Sequence, residues 1–202
     1  MNDTTITNLF PTPVYISNIK KNFNTEELSV FKQSKLDTFK NTGNIGSKNT
    51  YILNEKKLSN IKKQINERVK DYFNKVLRAV GVEPYITQSW LNYTEKNQFH
   101  HSHNHPNSLV SGVFYIDADK DNDRIKFFKA APQFRINAID FNEWNSESWW
   151  VPVETGQMLL FPSSLNHMVE NKKGNNTRVS LAFNVFVKGN LGSKHDYTEL
   201  KL

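Results

Sequence analysis

The sequence contains no cysteine among its 202 residues. Disulfide bonds and thiolate metal ligands are therefore excluded, and any bound metal must be held by histidine, aspartate or glutamate. No apolar run approaches the roughly 20 residues that a membrane-spanning helix requires. The first residues, Met-Asn-Asp-Thr-Thr, also lack the pattern of a signal segment. These absences predict a soluble, cytoplasmic protein without a membrane partner.

The chain also lacks a long run of basic residues, although 26 lysines and arginines against 20 acidic residues give a formal net charge of +6. Its lysines stand in scattered short pairs such as Lys56-Lys57 and Lys172-Lys173, which is typical of a solvated face. We therefore do not expect a nucleic-acid partner. No heptad or interface stripe predicts oligomerisation, and a homodimer stays open.

Two helices are predicted in the first part of the chain. The stronger one covers about 59–80, where apolar residues recur near helical spacing. Ser59 is a candidate cap for its start, and Gly81 can adopt the left-handed conformation that ends it. A second helix is predicted after Asn24, with Leu28 and Phe31 facing inward.

Strand-like runs dominate after the helices, separated by clusters of Asn, Gly, Pro and Lys. Helices followed by short strands predict a mostly β fold, a sandwich or barrel with helices packed outside. At this length we expect one domain, 1–202, with helical support over about 1–81 and the β core over about 82–190. A segment with two prolines at 9–15 suits an edge strand or a loop. The predicted strands are 85–93, 109–117, 125–128, 157–161 and 178–187.

Four of the six histidines lie within six consecutive positions. In an extended strand, His101, His103 and His105 would share one face, and His100 would lie on the other. Two imidazoles two residues apart can occupy adjacent positions on one metal, and a third ligand completes one face of its coordination sphere. His167, which follows a buried strand, is the candidate third ligand. The alternative is an exposed polar strand and a structural histidine.

Arg178 opens a later strand, eleven positions after His167. Strand alternation places Arg178 and Ser180 on one face. A guanidinium beside a hydroxyl suits a carboxylate, because two parallel charge-assisted hydrogen bonds match its planar geometry. The alternative is an ion pair with a surface Asp or Glu.

Together these segments resemble the 2-oxoglutarate/iron(II) oxygenases found among phage and bacterial proteins, and the similarity extends to the opening segment 9–14. The resemblance rests on the order and spacing of four motifs: His103-x-His105-Pro106, Ser111-Gly112-Val113-Phe114-Tyr115, Gly156-x-x-Leu159-Leu160-Phe161-Pro162 with His167, and Arg178-x-Ser180-x-Ala182-Phe183-Asn184. It implies a double-stranded β-helix (jelly-roll, cupin-like) core with Fe(II) and 2-oxoglutarate as cofactors. The implied metal ligands are His103, His105 and His167.

The resemblance also implies a pocket for 2-oxoglutarate. Arg178 and Ser180 would hold its C5 carboxylate, and Tyr115 and Asn92 are further pocket candidates. Each of the last two has a plain structural alternative, a core tyrosine and an amide that satisfies backbone groups. A protein side chain, a nucleotide and a small metabolite all fit as substrate. Three tryptophans fall in what we interpret as an irregular stretch before Pro152, and they are expected either to line a substrate lid or to cover the open edge of the barrel: Trp144, Trp149 and Trp150.

One position departs from the wider family pattern. More distant relatives such as prolyl hydroxylases carry H-x-D, and here His105 stands in place of the aspartate. Three neutral imidazoles leave the site more cationic. The departure leaves open that His101 replaces a member of the pair. It also leaves open a cupin-like three-histidine enzyme that has no need of Arg178, and a non-catalytic metal-binding or structural phage module.

Overall fold

The structure is a computed structural model that describes residues 4–19, 21–129 and 136–202. Within these ranges, no helix is both long and apolar enough to cross a membrane. The strands are β1 (Tyr15–Asn18), β2 (Thr38–Lys40), β3 (Ile45–Ser47), β4 (Val82–Thr94), β5 (His100–His103), β6 (Val110–Asp117), β7 (Arg124–Phe128), β8 (Ser148–Pro152), β9 (Gln157–Pro162), β10 (His167–Val169), β11 (Arg178–Leu191) and β12 (Leu200–Lys201).

These strands form two antiparallel sheets. The larger sheet has the order β1, β9, β6, β11, β4, β3, β2, with β12 paired to β11, and the smaller has the order β5, β10, β7, β8. The inner face of the large sheet packs on the small one in a single apolar cluster that includes Tyr115, Ile125, Phe127 and Phe161. This is the predicted jelly-roll.

Helices cover the other face of the large sheet. Helix α2 (Ser59–Tyr72) buries one stripe of residues, including Ile61, Ile65 and Val69, which lies in the same core as Phe114 and Phe183 of the sheet. Burial of this face is what stabilises a helix of mixed composition. The prediction of helices packed outside a β core is confirmed.

Helix α1 (Thr25–Ser34) begins with a capping box. The Asn24 side chain accepts a hydrogen bond from the Glu27 backbone N–H, and the Glu27 carboxylate accepts one from the Asn24 N–H, both at 2.9 Å. Val30 and Phe31 face the core, whereas Leu28 is 40% exposed, so its predicted inward orientation is wrong.

The ends of α2 differ from the prediction. A 3₁₀ turn (Lys56–Leu58) runs directly into the helix, so Leu58 occupies the N-cap position, and Ser59 does not cap it. A π-helical turn (Phe73–Leu77) follows the helix, and Arg78 takes the left-handed conformation with φ 51°. The helical backbone thus ends at Leu77, and three residues separate it from Gly81, which also has a positive φ of 72°.

The first 81 residues also contribute three strands to the large sheet. The edge strand expected near the two prolines begins at Tyr15 and pairs with β9. Strands β2 and β3 have three residues each, too few to show an alternating pattern in the sequence. The division into support and core segments stays a prediction.

Candidate metal centre

A β-bulge arranges the histidine-rich strand. His103 of β5 lies opposite His167 of β10, and His100 lies opposite Val169. Between these two pairs β5 therefore has one residue more than β10, which is a β-bulge. The bulge breaks the expected alternation. His100, His103 and His167 therefore line the same pocket, whereas His101 does not. The prediction that His101 shares a face with His103 and His105 is therefore wrong.

His103, His105 and His167 come together as a group. One ring nitrogen from each lies within 4.8 Å of the other two. The Nε2 atoms of His105 and His167 are 3.4 Å apart. Two nitrogens bound at a right angle to one metal, at about 2.1 Å each, stand about 3 Å apart. The three side chains predicted as ligands thus have the geometry of a metal site, and His101 is not part of the group.

Backbone carbonyls fix the tautomers of two of these rings. His103 Nδ1 lies 2.8 Å from the His101 carbonyl oxygen, and His167 Nδ1 lies 3.0 Å from that of Leu165. A carbonyl only accepts, so each Nδ1 must donate, and each Nε2 keeps its lone pair. Metal-binding histidines in proteins are oriented by the same kind of hydrogen bond.

His105 lies just beyond β5 and is oriented by an aromatic neighbour. The Trp90 ring of β4 stacks on the His105 ring with centroids 5.8 Å apart and planes at 23°. The His105 ring is also nearly parallel to that of His167, at 10°. Nothing in the sequence near Trp90 indicates this contact, because Trp90 belongs to β4 and His105 lies in the loop after β5, 15 positions further along the chain.

The rings are neutral at physiological pH. Burial, together with repulsion from the His103 ring in its protonated form, lowers the pKa of His167 to about 3 and that of His105 to about 4. Burial also lowers the pKa of His103. A neutral imidazole is the form that binds a metal, so this environment favours coordination over protonation.

The same pocket extends to Arg178 at its far end. Arg178 and Ser180 both line it, as the strand alternation of β11 predicts. Arg178 is 3% exposed, and its Nη2 donates to the Thr94 hydroxyl at 3.1 Å. Burial lowers the pKa of the guanidinium, yet arginine stays charged in proteins. Arg178 does pair with an aspartate, Asp123, at 3.6 Å, but both side chains are buried, whereas the alternative expected a pair at the surface.

Asn92 and Tyr115 flank Ser180 on the two neighbouring strands. Ser180 is directly opposite Asn92 of β4 and opposite Tyr115 of β6, and all three side chains line the pocket. Tyr115 is 2% exposed, and burial raises the pKa of its hydroxyl. Three polar side chains therefore stand at one level of the sheet, between the histidines and Arg178.

Two charged residues near Arg178 were not predicted as part of the site. Asp123 lies 3.6 Å from Arg178 Nη1, and Lys172 lies 3.6 Å from the same carboxylate oxygen. The interpretation of Lys172 as part of a solvated face is wrong, because its side chain has no exposed surface. His100, also in the pocket, accepts a hydrogen bond from the Asn41 amide at 3.1 Å.

The tryptophans lie at the edge of the small sheet. Trp149 and Trp150 belong to strand β8 and not to an irregular stretch, and each is about half exposed. Trp150 lies under the Arg124 guanidinium at 4.9 Å. Trp144 is in a turn and donates from its indole nitrogen to Asn8 at 2.6 Å. Trp144 and Trp149 line a cavity of about 630 Å³ together with the chain from Thr7 to Thr12.

This fold and this pocket define the chain as a jelly-roll protein with a histidine-lined pocket. Residues 88–184 match the family model described as "Putative 2OG-Fe(II) oxygenase", and the stretch contains every predicted site residue. The chain is similar to the 2OG-Fe(II) oxygenase family over this stretch, which is slightly less than half of its length. No curated protein sequence matches the chain.

Solved structures of the same fold cover most of the chain. An oxidoreductase of the 2OG-Fe(II) oxygenase family from Burkholderia pseudomallei has a TM-score of 0.58 and 14% identity, over 85% of this chain and 83% of that one. HygX from Streptomyces hygroscopicus with nickel and 2-oxoglutarate bound has 0.58 and 12%, over 86% and 82%. A prolyl hydroxylase from Trichoplax adhaerens, in complex with a hypoxia inducible factor peptide fragment, has 0.59 and 12%, over 86% and 83%.

Proposed function

We propose that this chain is an active Fe(II)- and 2-oxoglutarate-dependent dioxygenase that hydroxylates its substrate. The observation that carries the proposal is one pocket with three neutral imidazoles at one end and a buried guanidinium at the other. The first end suits a divalent metal, and the second suits a carboxylate. A 2-oxo dicarboxylic acid has groups for both ends, and the family match over residues 88–184 supports it as the cosubstrate.

His103, His105 and His167 would hold the iron. Two of them already direct Nε2 lone pairs away from their backbone hydrogen bonds, which supports their assignment. Three protein ligands on one face leave positions for the cosubstrate and for oxygen. Bound iron would activate dioxygen as the oxidant: one oxygen atom would enter the substrate as the hydroxyl, and the other would enter 2-oxoglutarate, which leaves as succinate and carbon dioxide.

Arg178 would bind the C5 carboxylate of 2-oxoglutarate. Thr94 holds one end of the guanidinium, which fixes its plane, and Ser180 adds a hydroxyl on the same face. Asn92 and Tyr115 would contact the middle of the cosubstrate, because they lie beside Ser180. Their part is to orient it, since a fixed geometry lowers the entropic cost of reaching the reactive arrangement.

The cupin-like alternative, a three-histidine enzyme without 2-oxoglutarate, has no use for a buried cation in the pocket. Arg178 and Lys172 share the single carboxylate of Asp123, and burying two cations beside one anion is costly unless a carboxylate ligand adds the missing charge. The presence of Arg178 in the pocket therefore favours 2-oxoglutarate. The substrate stays open among protein side chains, nucleotides and small metabolites, and the cytoplasmic location stays a prediction.

Turnover tests the proposal. The protein is loaded with Fe(II) and mixed with 2-oxoglutarate in air, and succinate is measured against time, with ascorbate present to keep the iron reduced. We expect succinate at a slow uncoupled rate from wild-type protein, and none above background from His167→Ala. The matched control is His195→Ala, which replaces an exposed histidine outside the pocket and should keep the wild-type rate of succinate formation. Equal succinate from wild type and His167→Ala contradicts the proposal.

A further inference from the structure

Asp123 is a buried carboxylate shared by two cations. Its Oδ1 lies 3.6 Å from both Arg178 Nη1 and Lys172 Nζ, and its side chain has no exposed surface. This oxygen has no hydrogen-bond partner, because both contacts exceed hydrogen-bond distance. Oδ2 accepts the backbone N–H of Asp119 at 2.9 Å. Asp123 is therefore held in place but is not committed to either cation.

The cluster of Asp123, Lys172 and Arg178 carries a net positive charge. Both cations are buried, and each has its own short contact to a neutral group: Lys172 donates to Asn176 at 2.7 Å, and Arg178 donates to Thr94 at 3.1 Å. Within the described part of the chain, Asp123 is the acidic side chain that faces both cations. One charge thus lacks a counter-ion among the buried groups of the cluster, which is costly unless a ligand supplies it.

We propose that Lys172 is a positioning residue for the dicarboxylic cosubstrate: it neutralises Asp123, and this leaves the charge of Arg178 available for the second carboxylate. The inference rests on the proposed function, because it deepens the role of Arg178 there. In the absence of Lys172, Asp123 would be the group that neutralises Arg178.

The electrostatic reason is a competition for Arg178. Without Lys172, Asp123 and Arg178 would form a neutral buried pair, and an incoming carboxylate would meet the negative charge of Asp123. With Lys172 present, the carboxylate completes a cluster of two cations and two anions. The selectivity for a 2-oxo acid with a second carboxylate should therefore depend on the net charge of this cluster, and not on Arg178 alone.

Charge variants test this dependence. The wild-type cluster has a net charge of +1, Lys172→Met lowers it to 0, and Lys172→Met with Asp123→Asn restores +1. Binding is measured by calorimetry with Ni(II), which replaces iron without turnover. The two ligands are 2-oxoglutarate and 2-oxobutyrate, which lacks the second carboxylate.

We expect Lys172→Met to weaken 2-oxoglutarate binding by at least about tenfold, because the competing Asp123 is no longer neutralised. Binding of 2-oxobutyrate should stay within about threefold, because it does not reach the cluster. The double variant should recover 2-oxoglutarate binding to within about threefold of wild type. A merely structural role for Lys172 cannot produce this recovery, because the double variant removes more of the native contacts.

The controls separate folding from charge. Lys48→Met removes a cation of an exposed ion pair with Asp37 and should leave both affinities unchanged. Ni(II) affinity and far-ultraviolet circular dichroism report an intact fold in each variant. If the double variant does not fold, Lys172→Gln with Asp123→Asn replaces it, because the amides keep hydrogen-bonding capacity.

Loss of 2-oxoglutarate binding without recovery in the folded double variant overturns the inference. Unchanged binding in Lys172→Met overturns it as well. Either result leaves the proposed function intact, provided that wild-type protein binds 2-oxoglutarate and Arg178→Met does not. Failure of the wild-type protein to bind 2-oxoglutarate contradicts the proposed function itself.

Discussion

The Nε2 atoms of His105 and His167 lie 3.4 Å apart, although 62 positions separate the two residues in the sequence. His167 Nε2 carries a lone pair, because Nδ1 of the same ring donates to the Leu165 carbonyl. When His105 carries its proton on Nδ1, its Nε2 presents a second lone pair to that of His167, and a shared cation satisfies both nitrogens. The pair is the structural basis for predicting a metal at this position.

Metal binding should raise the free energy of unfolding. A metal that binds only the folded state, at about 100 times its dissociation constant, stabilises by about 2.7 kcal/mol. We expect Ni(II) or Fe(II) to stabilise wild-type protein by about this free energy, which is observed as a rise in its melting temperature. Replacing His103, His105 or His167 by alanine should remove most of the shift, as measured by anaerobic thermal denaturation.

His101→Ala is the matched control for these variants. His101 belongs to the same strand, but its ring lies outside the group of three, and His103 uses only its backbone carbonyl. The variant should keep the metal-dependent shift in melting temperature. Loss of the shift in His101→Ala, with the shift retained in His105→Ala, would reverse the assignment of the second ligand.

His105→Asp should keep the metal site. A carboxylate at this position gives the two-histidine, one-carboxylate set that binds non-haem iron, and it offsets one positive charge of the ion. We expect a dissociation constant for Fe(II) within about tenfold of wild type, and 2-oxoglutarate binding should persist. Competition with a colorimetric iron chelator under nitrogen measures the dissociation constant for Fe(II). If His105→Asp binds as weakly as His105→Ala, the position does not provide a ligand.

Gly112 is required by a close approach inside the large sheet. A Cβ added there would lie 2.1 Å from Cζ of Phe183, which is fully buried on the adjacent strand. We expect Gly112→Ala to lower the free energy of unfolding by about 1–3 kcal/mol through overpacking. Urea denaturation measures the loss. Adding Phe183→Leu should cost less than the sum of the single changes, and strict additivity would contradict the overlap.

Asn24 should stabilise α1 through its capping box. Asn24→Ala removes the acceptor for the Glu27 N–H and should cost about 1 kcal/mol in the free energy of unfolding. Ser59→Ala is the control at the start of α2, where the structure has no side-chain cap, and it should change stability by only a few tenths of a kcal/mol. Equal losses in the two variants would contradict this contrast.

The sequence predicts those parts of the site that depend on regular local geometry. Arg178 and Ser180 share a face because β4 and β11 pair without interruption at that point, so the period of two holds. The H-x-H spacing and the strand before His167 likewise indicate three ligand candidates. The family resemblance adds the order in which the chain presents them.

The rest depends on contacts that no local pattern records. The bulge in β5 brings His100 into the pocket against the expected alternation, and it depends on how β10 pairs with β5. Lys172 and Asp123 are 49 positions apart and stand in polar segments that resemble surface loops. Only the packing of the two sheets shows that both side chains are buried.

Anaerobic titration of Fe(II) into the protein, with and without 2-oxoglutarate, tests the central claim most directly. A 2-oxo acid chelated to iron in such a site gives a weak visible absorption band. We predict that the band develops to one equivalent of Fe(II) in wild-type protein only when 2-oxoglutarate is present, and that it is lost in both His167→Ala and Arg178→Ala. A band that persists unchanged in Arg178→Ala would contradict the assigned carboxylate site, and its absence from wild-type protein would contradict the proposed oxygenase.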